Sequence, residues 1–173
     1  MTCLNKHRSD GEKKARNVRS GSYPLKNLKF LYDFAAEMNL TVGDLAARMG
    51  LSRQSVYYWF KKDDVKISNI YRLFDLLGYE IRFSLTDMKE ETNPNVRVTS
   101  KLYSPETPKN LDFLTIALNQ YRINKTDLCR DLNLGATTIY SWQVHDDCFI
   151  SYIFKIAELR GLRLNIDIRP KNY

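Results

Sequence analysis

Sliding the sequence against itself by 83 residues, the distance from Phe30 to Phe113, brings its two halves into register without a gap. Phe30-Leu31 falls on Phe113-Leu114, Asp44-Leu45 on Asp127-Leu128, Leu51 on Leu134, Tyr57 on Tyr140 and Trp59 on Trp142. Asp63-Asp64 falls on Asp146-Asp147, Ile67-Ser68 on Ile150-Ser151, Ile70 on Ile153, Leu76 on Leu159 and Gly78 on Gly161. A match that runs through loops as well as apolar segments implies two copies of one folding unit. A length of 173 residues is enough for one medium domain or two small ones.

Both copies read the same way. Apolar periodicity predicts a first helix over roughly Leu25 to Met38, and over Pro108 to Tyr121 in the second copy. Thr41 and Asn124 are good N-caps for a short second helix, ending near Met49 and Leu132. Ser52 caps a third helix through Phe60, with Gly135 as a weaker cap in the second copy. Ser68 and Ser151 are expected to cap a fourth helix that Gly78 and Gly161 stop. "YEIRFSL" and "LRLNIDI" then alternate apolar and polar residues, which predicts a strand with Ile81, Phe83 and Leu85, or Leu164, Ile166 and Ile168, on one face. The chain therefore divides into a basic tail (1–22), a first unit (23–87), a polar Pro-bearing linker (88–107) and a second unit (108–173). A brief strand at Val96 to Val98 is also expected.

Two short helices joined by a tight turn and crossing steeply tolerate only a small side chain in the middle of the first. Ala46 and Cys129 fill that place. The turn needs a residue that accepts positive φ, and Gly50 and Asn133 fill that one. Leu45, Met49, Leu51, Val56 and Trp59 form the expected buried set, matched by Leu128, Leu132, Leu134, Ile139 and Trp142. Tyr57 and Tyr140 are read as shared packing and Tyr58 as exposed. The pattern is that of a helix-turn-helix, whose second helix is free to enter a major groove.

"TVGDLAARMGLSRQSVYYWF" resembles the helix-turn-helix domain of the lambda-repressor/Cro-like (xenobiotic-response-element, XRE) family. The resemblance covers roughly Leu25 to Leu77 and Pro108 to Arg160. In the second copy it is carried by the repeat. It implies a mostly α fold of two tandem lambda-repressor-like helix-turn-helix domains, each followed by one strand, and sequence-specific binding to operator DNA. By position in the motif, Arg53, Gln54 and Tyr58 would read base edges, with Ser55 beside them and Thr41 at the start of the preceding helix. Val42 departs from the family, which often has a phosphate-contacting glutamine there.

The chemistry suits these roles. Arginine forks onto guanine O6/N7 and glutamine onto adenine N6/N7. Lys61 and Lys62 are placed to hold phosphates. In the second copy the matching face is Ala136, Thr137 and Ser141, with Thr138 beside them and Lys125 opposite Val42. It is small and uncharged, so a weaker contact is expected of Lys125, Thr137, Thr138 and Ser141.

One amphipathic strand per copy cannot satisfy its own backbone groups. Antiparallel pairing within the chain would make a single-chain pseudo-dimer about a pseudo-two-fold axis. The rival is a homodimer with strands paired between chains. A formal charge of +7 favours a polyanionic partner, and the tail carries six basic against two acidic residues, +4 of that excess. It is either a solvated arm or one that reaches a minor groove. No Ser/His/Asp grouping, phosphate loop or metal motif is present, so no enzyme, cofactor or metal is expected. Cys129 and Cys148 replace Ala46 and Val65, which marks them as small buried thiols, and three cysteines without framework spacing argue against disulfides. No apolar run has the length of a signal core or membrane span, so a cytosolic protein is expected. Two functions compete: a regulator bound to double-stranded DNA, and an antitoxin-like or adaptor protein that binds a protein partner through the same folds.

Overall fold

In a computed structural model describing residues 25–89 and 109–171, each copy runs through four helices into one strand. The first contributes α1 (Lys29–Glu37), α2 (Val42–Met49), α3 (Arg53–Lys62), α4 (Ile67–Leu76) and β1 (Tyr79–Asp87). The second contributes α5 (Asp112–Gln120), α6 (Lys125–Asp131), α7 (Thr138–His145), α8 (Ile150–Arg160) and β2 (Leu162–Pro170). The described residues are mostly helical, with one antiparallel two-stranded sheet among them. The basic tail, the linker from residue 90 on and the expected Val96 to Val98 strand lie outside the described residues.

β1 and β2 pair with each other from Tyr79 opposite Pro170 to Asp87 opposite Leu162. Phe83 stands opposite Ile166, which is its own counterpart at the 83-residue offset. Exchanging the two copies therefore maps the ladder onto itself. Ile81, Phe83 and Leu85 are buried as the alternation predicts, while Leu164, Ile166 and Ile168 are half-buried. The Phe83 ring sits among Phe30, Tyr71 and Phe113, so both copies contribute to one cluster at the seam. Each fully buried side chain of this kind contributes about 1.5–3 kcal/mol.

A second joint has the same exchange symmetry. The Ile67 N–H donates to the Cys148 carbonyl and the Ile150 N–H to the Val65 carbonyl, both at 2.9 Å. Asp147 accepts from the backbone N–H and hydroxyl of Ser68 at 3.1 and 2.9 Å. Asp64 accepts from the same groups of Ser151 at 3.0 and 2.7 Å. Each carboxylate thus satisfies the open start of the other copy's fourth helix. This corrects the expected capping by Ser68 and Ser151. Lys66 and Phe149 are the N-caps, without a side-chain bond, because the extended segment before each helix is held by its counterpart across the seam.

The preceding aspartates act inside their own copy. Asp63 accepts from the N–H groups of Lys26, Asn27 and Leu28 at 2.9, 2.9 and 2.8 Å. Asp146 accepts from Asn110 and Leu111 at 2.7 and 2.9 Å. These bonds hold the chain outside helical geometry, and α1 and α5 start several residues later than the periodicity predicts. The acidic pairs are fastenings of the repeat.

Candidate nucleic-acid interface

α2 starts with a capping box. Thr41 Oγ1 accepts from the Asp44 N–H at 3.2 Å, while Asp44 accepts from the Thr41 N–H at 2.7 Å and from its hydroxyl at 2.6 Å. The bonds to Thr41 hold the Asp44 carboxyl below its ordinary pKa, with smaller help from Arg48 and Arg53. Ala46 is buried in mid-helix. Gly50 ends α2 at φ 64° and Asn133 ends α6 at φ 54°, the left-handed turn the sequence requires at both places. α3 then begins under Ser52, whose Oγ accepts from the Ser55 N–H at 3.1 Å.

On α3, Val56 is fully buried and Trp59 and Phe60 pack against the core. Arg53, Gln54, Tyr57, Tyr58, Lys61 and Lys62 are exposed. Ser55 is half-buried, with its hydroxyl 2.8 Å from Ser52 Oγ. Arg53 lies across the start of α2: a β-carbon on Gly43 would stand 3.2 Å from Nη2 and 3.4 Å from Nε. Lys61 Nζ sits 5.6 Å from the centre of the Tyr58 ring. Arginine, glutamine, two phenols and two ammonium groups thus share one short helix.

Two readings of this segment need correction. Leu51, expected in the buried set, is 37% exposed, because the residue after the left-handed turn leads the chain out over the surface. Tyr57 and Tyr140, expected to pack, are 43% and 67% exposed. Val56 and Ile139 already fill the inward direction, and one residue further on a helix points about 100° away.

The second copy assembles differently. Asn124 caps α6 by accepting from Thr126 and Asp127 at 2.8 and 3.2 Å. Gly135 is not the N-cap of α7, contrary to expectation. It has no side-chain acceptor, and Thr137 is the cap, without a side-chain bond. Ala136 and Thr137 therefore precede the helix. Thr138 opens it, and Ser141 is half-buried along it. Lys125 Nζ donates to Gln143 Oε1 at 2.6 Å, and Gln143 donates in turn to Thr115 at 2.8 Å. The corresponding place in the first copy holds a Tyr32–Phe60 ring contact.

Cys129 and Cys148 are both buried, and burial pushes the Cys148 thiol well above its ordinary pKa. Among the described residues no group of three His, Cys, Asp or Glu side chains is placed to hold a metal. No helix among them is long and apolar enough to cross a membrane. The sequence reading also missed an open groove of about 940 Å³ beside the seam, lined by Tyr71, Arg72, Arg82, Phe83 and Phe113 among others. Only the antiparallel pairing could have signalled it, since its walls come from both copies. Searches against protein-family models, curated proteins and solved structures find no match to this chain.

Proposed function

We propose that this chain is a cytosolic, sequence-specific DNA-binding regulator, a covalent pseudo-dimer of two helix-turn-helix units whose first copy does most of the reading. The observation that carries this is the exposed face of α3. Arg53, Gln54 and Tyr58 stand free of the core on a helix set off from α2 by the left-handed Gly50, with Lys61 and Lys62 at its end. Arg53 and Gln54 supply forked donors and acceptors for base edges, and the lysines hold phosphates. Thr41 and Ser55 contribute from the helix starts, as Lys125, Thr137, Thr138 and Ser141 do more weakly in the second copy. The exchange symmetry of the β1–β2 ladder supports two probes addressing half-sites about one helical turn, or roughly 34–36 Å, apart.

Selection of bound duplexes from a random pool tests this reading. The expected product is an imperfect palindrome with one sharply defined half-site. Recovery of no enriched sequence by the full chain would end the proposal. The second reading, an adaptor or antitoxin-like protein, draws on exposed Tyr140 and Val144 on α7. It gains if the wild type binds no duplex at moderate salt.

A further inference from the structure

α3 and α7 agree in residue type at two positions only, Trp59/Trp142 and Tyr57/Tyr140. The tryptophans are half-buried and pack against the core, which accounts for their retention. The tyrosines do not: Tyr57 meets the exposed Tyr58 edge-on, and Tyr140 is two-thirds exposed. Packing therefore does not call for a tyrosine at either place. Helical spacing sets Tyr57 one turn after Arg53 and one turn before Lys61, a basic–aromatic–basic line. The same line in the second copy reads Ala136, Tyr140, Val144. The neighbours have changed and the phenol has stayed.

A side chain that reads a base changes when the base changes. One that holds a phosphate need not, because the backbone is alike at both half-sites. We propose that Tyr57 and Tyr140 are a matched pair of phosphate anchors, each O–H donating to a backbone phosphate oxygen of its own half-site. This rests on the DNA-binding reading and deepens it: the second copy still grips the duplex although its reading positions are small. A neutral phenol displaces no counterion, so the contact adds affinity without adding salt dependence.

The test compares full-length wild type, Tyr57→Phe, Tyr140→Phe and the double variant across a salt series. The duplexes are the selected one and a random-sequence one of equal length. Each substitution should weaken both duplexes by roughly tenfold, the loss of one hydrogen bond to a charged group. The ratio between duplexes and the log–log salt slope should stay unchanged, whereas Lys61→Ala should reduce that slope by about 1. Unchanged affinity in the double variant overturns the proposal. Weakening confined to the selected duplex also overturns it, by making the tyrosines base readers. An effect of Tyr57→Phe without one of Tyr140→Phe removes the matched pair. A wild type that binds neither duplex defeats the DNA reading itself, and the anchors with it.

Discussion

α3 runs for ten residues from Arg53, and α7 for eight from Thr138, which corresponds to Ser55. The difference traces to one residue, Ser52 against Gly135. The serine oxygen satisfies an orphan N–H of the first turn and keeps Arg53 and Gln54 on the helix. The glycine offers no such acceptor, and Ala136 and Thr137 fall outside. A cap thus decides which residues a helix presents, and the presented face carries the proposed chemistry. The ladder register and the reciprocal aspartate caps that join the copies are symmetric, while the outward faces diverged.

The largest expected effect concerns the symmetric part. Phe83→Ala should cost about 3–5 kcal/mol in urea unfolding, because it empties the ring cluster at the seam. Ile166→Ala, opposite it but half-buried, should cost less, about 2 kcal/mol. Equal losses would mean that the two strands bear equally on the seam. For the outward faces, Arg53→Ala/Gln54→Ala should remove specific duplex binding, at about 1–3 kcal/mol for each forked contact, with non-specific binding retained. Thr137→Ala/Thr138→Ala should lose far less in the same titration, and a comparable loss would erase the distinction between the copies.

The reciprocal caps come next. Asp64→Ala and Asp147→Ala should each lower stability by about 1–2 kcal/mol. Asp147 should lose slightly more, since it also pairs with Lys66 at 3.5 Å, whereas the second copy has Phe149 in the place of Lys66. Gly135→Ser should lengthen α7 by two residues, Ala136 and Thr137, and raise stability by a few tenths of a kcal/mol, seen as added helical circular dichroism. The smallest effect is confined to acid. Because the folded Asp44 carboxyl titrates below its ordinary value of 3.8, its contribution is complete above that pH and fades as pH falls through the lower folded value. Asp44→Asn should abolish that part of the acid-induced loss in a pH series.

Much of this was legible beforehand where the cause is local. Thr41, Asn124 and Ser52 cap by short-range hydrogen bonds, Gly50 and Asn133 turn by their own backbone tolerance, and the strands declare themselves by alternation. The same locality explains the misreadings. Ser68 and Ser151 look like caps because serine is a good one, and nothing nearby in sequence shows that Asp147 and Asp64 reach in from 79 and 87 residues away. Tyr57 and Tyr140 look like packing because retention across a repeat suggests a core, and only the inward direction of Val56 and Ile139 shows otherwise. Of the proposed contact residues, type and helix position were legible, whereas the lean of Arg53 over Gly43 and the tether of Lys125 to Gln143 depend on side chains meeting in space.

The sequence by itself determined the duplication, the order of helices and strand in each copy, and the turn between second and third helices, because caps, periodicity and φ preference act within a few residues. The tertiary structure decided that the strands close on each other within one chain, that each copy finishes the other's fourth helix, and which face of α7 is outermost. Those outcomes depend on which distant backbone groups and carboxylates come within hydrogen-bond reach, and that is settled only when the two apolar faces are buried together.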